Sequence, residues 1–252
     1  MGALHEGHLD LVRRAKATCD KVVCSIFVNP LQFNNPEDLA RYPKQPAEDQ
    51  ALLEGAGCDA LFSPTKQDLF SGFTATKYDL GGLDAHWEGP SRPGHFQGVV
   101  NVVERLFFHV RPDSAFFGEK DRQQLAIVQF VAKHQHWPER IVPCPTVRTA
   151  DGLALSSRNL RLSETERQQA TVLSKALQAT RSHAFQDPVA VSLAAGLDLL
   201  QAEEGVQLDY FGVAHPDTLE PLEEWAELSE AVALIAAQVG PVRLIDNMTL
   251  YR

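Results

Sequence analysis

Residues 9–30, Leu9-Asp-Leu-Val-Arg-Arg-Ala-Lys-Ala-Thr-Cys-Asp-Lys-Val-Val-Cys-Ser-Ile-Phe-Val-Asn-Pro30, change their hydrophobic period once, and that change decides the fold class. Leu9, Val12, Ala15 and Cys19 recur at helical spacing, after which residues 21–28 form a nearly continuous apolar run that stops at Asn29-Pro30. The first pattern predicts a helix with one buried stripe, the second a buried strand. The alternation repeats downstream. Residues 46–57 open with an acidic turn, carry Leu52 and Leu53 inside, end in glycines and lead into Ala60-Leu61-Phe62. Residues 99–110 and 123–135 read as helices, Ala115-Phe116-Phe117 and Ile141-Val142 as strands. Strands alternating with helices predict an α/β fold, a doubly wound parallel sheet covered on both faces.

The texture changes near Thr146, which is read as the boundary between a domain of residues 1–146 and one of residues 147–252. Two long helical patterns at 163–182 and 188–204 precede three β-rich runs around 208–213, 231–239 and 242–250. That order predicts a smaller α+β C-terminal domain with antiparallel strands, expected over the C-terminal edges of the parallel strands, where ligands of such sheets bind.

Hydrophobic residues make up 44% and charged residues 22% of the 252, as in water-soluble globular proteins. With 23 Lys+Arg against 33 Asp+Glu the net charge is −10, so a nucleic-acid partner is not expected. No apolar run reaches the roughly 18 residues of a membrane helix, and the first residues lack the cationic-then-apolar order of a signal peptide. A cytoplasmic protein with no membrane partner is the expectation. Cys19, Cys24, Cys58 and Cys144 are scattered without CxxC spacing, which predicts reduced structural thiols.

Chemistry is carried by three loops. His5-Glu6-Gly7-His8 stands at the start of the first helix, where two imidazoles three residues apart can face one ligand beside the free N–H groups and partial positive charge of the helix N-terminus. An incidental surface pair and a metal site are the competing readings; the metalloprotease motif needs one more residue between its histidines. Gly118-Glu119-Lys120-Asp121 follows the strand at 115–117, and Ser156-Ser157-Arg158-Asn159 opens the second domain. A lysine at a strand end can reach a β- or γ-phosphate as a point charge, an arginine can fork two phosphate oxygens, and the aspartate could hold ribose hydroxyls.

Five blocks together resemble the pantothenate synthetase family: Met1-Gly-Ala-Leu-His-Glu-Gly-His8, Ser25-Ile-Phe-Val-Asn-Pro-Leu-Gln-Phe33, Arg92-Pro-Gly-His-Phe96, Phe117-Gly-Glu-Lys-Asp121 and Asp151-Gly-Leu-Ala-Leu-Ser-Ser-Arg-Asn159. The His-x-Gly-His loop alone belongs to a wider nucleotidyltransferase superfamily. The resemblance implies a Rossmann-like first domain closed by the small second one, ATP with Mg²⁺, a homodimer, and a route from pantoate through pantoyl-adenylate to pantothenate with β-alanine as the amine. It implies ATP binding at Met1, Gly2, Ala3, Leu4, His5, Glu6, Gly7 and His8, at Gly118, Glu119, Lys120 and Asp121, and at Val147, Leu155, Ser156, Ser157 and Arg158. His5, His8, Lys120 and Arg158 are the expected catalytic groups, with His8 as proton donor, and Asn29, Gln32 and Gln124 the expected pantoate ligands. A neutral amide can orient a carboxylate without muting its nucleophilicity in an ion pair. The metal's ligands are not assigned. Arg92 and His95 read as a basic loop that could hold the carboxylate of β-alanine, hold pyrophosphate, or order a lid.

Glu48, Asn101 and Thr149 stand where the family commonly has aspartate, threonine and glutamate. In the family a strand ending Val-Pro-Thr precedes Met-Gly-Ala-Leu-His, so the natural protein is expected to begin some tens of residues upstream of Met1, and the 252-residue chain alone to be unstable. Two rivals share the fold: an adenylyl- or cytidylyltransferase that leaves the nucleotide on its product, and a nucleotide-sensing or scaffold protein without chemistry.

Overall fold

The computed structural model describes residues 2–30 and 39–252. Met1 and Gln32, and with them two expected ligand positions, lie outside the described residues. The described residues form two compact units: those up to Asp84 with Glu88–Glu119 and Gln123–Val147, and Ala85–Trp87 with Lys120–Arg122 and Arg148–Arg252.

In the first unit α1 (Glu6–Thr18), β1 (Val23–Ser25), α2 (Pro46–Gly55), β2 (Ala60–Phe62), α3 (Lys66–Phe70), α4 (Glu88–Ser91), α5 (His95–Val110), β3 (Ser114–Gly118), α6 (starting at Arg122 and ending at His134) and β4 (Arg140–Cys144) follow in order. β1 pairs in parallel with β2, Val23 opposite Ala60, and β3 with β4, Ser114 opposite Arg140. The parallel α/β class is as expected. Helices from different parts of the chain cover the strands: Val12 and Ala15 of α1 and Leu53 of α2 pack with Cys24 of β1, whereas Val99, Val103 and Phe107 of α5 and Val128 of α6 form a second cluster against Phe62, Ala115 and Phe117.

The first strand is shorter and less covered than residues 21–28 suggest. Its partner run ends at Ser63-Pro64, and proline has no N–H with which to extend a ladder. Ile26 still donates to Phe62 O at 2.9 Å, after which Phe27 joins the α5 cluster. Val23 is 43% exposed, so the apolar run marks side chains that leave for different surroundings, not one strand buried on both faces.

Asp59 ties these elements together. Its carboxylate accepts Lys16 Nζ at 2.8 Å, Val22 N–H at 2.9 Å and Lys21 Nζ at 3.0 Å, joining the end of α1, the start of β1 and the start of β2. The Lys16 ammonium first, then the Val22 N–H and the Lys21 ammonium, holds the Asp59 carboxyl well below the usual carboxylate range. A carboxylate with a depressed folded value stabilises in full above its unfolded value near pH 4 and loses that contribution as the pH falls further. The thermal-midpoint gap between wild type and Asp59→Asn is therefore expected to be constant above about pH 5 and to shrink below about pH 4. Melting curves at both ends of that range check it; a gap that widens in acid would refute it.

The second unit carries a 3₁₀ turn (Ser157–Arg161), α7 (Glu164–His183), α8 (Val189–Ala202) and an antiparallel sheet in the order β5 (Val206–Ala214), β6 (Glu230–Val239), β7 (Val242–Tyr251). Ser163 starts α7 with a capping box: its hydroxyl accepts Glu166 N–H at 3.3 Å, and the Glu166 carboxylate accepts Ser163 N–H at 2.7 Å. Leu173, Ala176 and Leu177 of α7 pack on Ile235 and Ala237 of β6 and Leu244 of β7. Gly240-Pro241 closes β6 to β7, with Gly240 at φ +51, the sign that a type II′ turn needs at its first central residue. All four cysteines are free thiols; Cys24 and Cys144 are buried, and burial pushes the Cys24 thiol up to about 12.

Candidate active site

The loop before α1 is fixed from below by a residue that sequence reasoning passed over. Asp49, one turn into α2 and 2% exposed, accepts Ala3 N–H at 2.9 Å and Leu4 N–H at 2.6 Å. Ala3 sits at φ +48, a left-handed conformation costly for a non-glycine residue, and the two charge-assisted bonds hold it there. Gly2, Ala3 and Leu4 are buried, and the Leu4 side chain belongs to the core beside Val12 and Leu53. Glu6 is exposed and paired with Arg13.

His5 is the N-cap of α1 and His8 its third residue, with ring centroids 4.0 Å apart. His5 N–H donates to His8 Nδ1 at 3.4 Å, so in that bond Nδ1 is the acceptor and Nε2 is the ring nitrogen that can donate. His5 O accepts the N–H groups of His8 and Leu9 at 2.8 and 3.2 Å. Glu6 and Gly7 then carry the N–H groups for which a first helical turn has no intrahelical acceptor. The sum is a set of donors suited to an anion.

Of the three amides expected at pantoate, Asn29 and Gln124 lie among the described residues. Asn29 is 1% exposed and donates Nδ2 to Gly98 O at 3.2 Å, so it anchors the end of the β1 segment to α5. Gln124 is half-buried on α6. Its neighbour Gln123 is the committed one: Nε2 donates to Leu83 O at 2.7 Å and Oε1 accepts Glu88 N–H at 2.9 Å, bracing the loop before α4. The basic loop also reads differently in three dimensions. His95 is buried as the first residue of α5, edge-on to Phe96, and Arg92 lies 3.6 Å from the Glu88 carboxylate. Asn101 grips Thr76 through both backbone groups, accepting its N–H at 2.8 Å and donating to its O at 2.9 Å.

Gly118 ends β3 and Glu119 begins a single 3₁₀ turn, Glu119–Asp121, in which Lys120 Nζ lies 3.6 Å from Asp121 Oδ1. Lys120 packs with the second unit, although the sequence boundary assigns it to the first. Val147, Leu155, Ser156 and Arg158 are half-buried and Ser157 is buried. Ser156 caps the 3₁₀ turn by accepting Arg158 N–H at 3.3 Å, and Asn159 Nδ2 donates to Ala154 O at 3.0 Å. The Thr149 hydroxyl donates to the Asp151 carboxylate and the Thr149 N–H donates to Leu153 O at 2.9 Å, closing the hairpin ahead of that turn. Among the described residues no three His, Cys, Asp or Glu side chains group as metal ligands.

A parallel α/β unit whose first helix opens on two imidazoles and first-turn N–H donors has the fold and the donor set with which phosphate groups can be held at a helix N-terminus. The chain belongs to the pantoate-beta-alanine ligase family, whose model matches residues 1–249. It is 47% identical over 253 residues to the pantothenate synthetase of Thermus thermophilus, covering 100% of this chain and 91% of the relative, and 44% identical to that of Cytophaga hutchinsonii, covering 99% and 89%. The crystal structure of the Thermus thermophilus pantothenate synthetase superimposes with TM-score 0.95 over 100% of this chain and 91% of that one. A pantoate-beta-alanine ligase from Francisella tularensis, complexed with beta-gamma ATP and beta-alanine, is 33% identical with TM-score 0.78, covering 98% and 86%.

Proposed function

We propose that this enzyme condenses (R)-pantoate with β-alanine using ATP, through pantoyl-adenylate, releasing pyrophosphate and AMP. The observation that carries the reading is family membership from residue 1 to residue 249, with the His5 to His8 loop built as a donor cradle. In the first step the pantoate carboxylate attacks the α-phosphorus and negative charge grows on the α-phosphoryl oxygens and the departing pyrophosphate. Donors already in place lower that barrier because no reorganisation is needed as charge develops. His8 Nε2–H, His5, Lys120, Arg158 and the Ser156 and Ser157 hydroxyls are assigned this role, and Met1 to His8, Gly118 to Asp121, Val147 and Leu155 to Arg158 the wider ATP contacts. The buried Gly2, Ala3 and Leu4 can offer ATP backbone only. In the second step the β-alanine amine attacks the acyl carbonyl and AMP leaves, driven by proximity.

Mg²⁺ enters this scheme on the substrate, as MgATP, because Mg²⁺ is commonly held by phosphates and water with few protein carboxylates. The same reading places the enzyme in the cytoplasm as a homodimer, with a domain of residues 1–146 for ATP and pantoate and one of residues 147–252 as its lid. No helix among the described residues is long and apolar enough to cross a membrane.

Gln124, with Gln32, is assigned to pantoate. Gln124→Ala is expected to raise the KM for pantoate by about 10-fold or more while leaving ATP affinity within about 2-fold, since one lost hydrogen bond to a charged group is worth roughly 1.5–3 kcal/mol. Isothermal titration with each substrate checks it; equal losses for both would remove Gln124 from the acid's site. Omitting substrates in turn tests the reaction itself. Pantothenate and AMP appearing only when pantoate, ATP and β-alanine are all present supports ligation, whereas a stable adenylylated product would favour a nucleotidyltransferase.

A further inference from the structure

Lys120 lies in one turn of 3₁₀ helix, too short to satisfy its own carbonyls. The Lys120 carbonyl accepts instead from Asn247 Nδ2 of β7 at 2.8 Å, 127 residues away. Asn247 is 7% exposed and held at both backbone groups. Its N–H donates to Asp246 Oδ1 at 2.8 Å, and its carbonyl accepts from Arg148 Nη2 at 3.0 Å. Arg148 in turn forks the buried Asp246 carboxylate, Nη1 to Oδ2 at 2.6 Å and Nη2 to Oδ1 at 2.8 Å, and donates to Gly152 O at 3.1 Å. The Arg148 backbone also forms an isolated antiparallel bridge with Ala154, so the residue whose guanidinium holds Gly152 O is itself part of the hairpin that leads directly into the turn carrying Arg158.

We propose that the Arg148–Asp246–Asn247 network is a positioning element of the adenylation step: it fixes the Lys120 backbone and the hairpin before Arg158 to one rigid strand, so that the two cations are set together. The inference rests on the phosphate role assigned to Lys120. A bidentate pair with further bonds to two carbonyls has little freedom to shift, and a neutral amide reaching the Lys120 carbonyl orients that residue without competing for its ammonium. Misplacing a reacting group by about 1 Å can cost about 100-fold in rate.

The test uses Asn247→Leu and the smaller Asn247→Ala, each of which removes the donor to Lys120, alone and combined with Lys120→Ala. The readouts are pantoate-dependent ATP–pyrophosphate exchange, the KM for β-alanine in the full reaction, and thermal unfolding. Either Asn247 variant is expected to slow exchange by about 10- to 100-fold with the KM for β-alanine within about 2-fold, and to add little on top of Lys120→Ala. Wild-type exchange in Asn247→Ala, or a loss that multiplies in full with that of Lys120→Ala, would overturn the proposal. If Asn247→Leu melts early, exchange in Asn247→Ala, read below the midpoint of every variant, decides. A Lys120→Ala enzyme that exchanges normally would instead sink the role of Lys120 itself, a separate result.

Discussion

His8→Ala is expected to slow pantoyl-adenylate formation by about 100-fold or more, because removing one pre-placed donor from a charge-developing transition state commonly costs about 3 kcal/mol. The local geometry makes the effect separable from folding. His8 Nδ1 receives the His5 N–H at 3.4 Å, a long bond at the mouth of α1, and losing that capping interaction costs about 1 kcal/mol or less. His8→Asn offers an oxygen near the Nδ1 position and keeps that bond but has no group at Nε2, so it should be nearly as slow as alanine. His8→Gln carries an N–H donor closer to the Nε2 position and should recover part of the rate. Pyrophosphate exchange measured beside thermal unfolding checks all three. Wild-type exchange in His8→Ala or His8→Asn would take the imidazole out of the mechanism.

Asp49 governs where that imidazole stands. Asp49→Ala leaves the Ala3 and Leu4 N–H groups buried without their acceptor, at roughly 1–3 kcal/mol each, against a net stability of about 5–15 kcal/mol for a domain. A drop in thermal midpoint of many degrees is expected, together with lost ATP binding. Asp49→Asn is the sharper probe. It keeps shape and one acceptor oxygen, but its amide nitrogen must face one of the two N–H groups, so the loop is held at one point only. The expected result is a loss of about 2–3 kcal/mol in stability and a weaker ATP affinity, with the KM for β-alanine little changed. Denaturant unfolding and ATP titration read both quantities; an unaltered unfolding midpoint in Asp49→Asn would show that the clamp contributes nothing.

Much of this protein is written locally. Helical spacing in Leu9, Val12 and Ala15 places those side chains in the core of α1, and Ser163 with Glu166 marks the start of α7 through bonds three residues apart. Hydrophobic period and capping depend on neighbours in sequence, so a linear reading finds them. The motif loops were legible for the same reason: His5, Gly7 and His8 lie within one helical turn.

What holds those loops is not local. Asp49 reaches Ala3 across 46 residues, Arg148 reaches Asp246 across 98, and Asn247 reaches Lys120 across 127. Nothing in the sequence distinguishes Asp49 from the exposed acids of a helix's first turn, or Gln123 from Gln124 beside it. Only the tertiary structure decides that Asp49 is buried beneath a loop, that Gln123 commits its amide to Leu83 and Glu88, and that Asn29 commits its own to Gly98. The sequence by itself determined the main helices and strands, though not α3, α4 or the short extent of β1, and which cationic residues stand in the loops. The structure decided which polar groups meet, because a buried donor or acceptor must find a partner wherever folding brings one, and sequence distance does not constrain that choice.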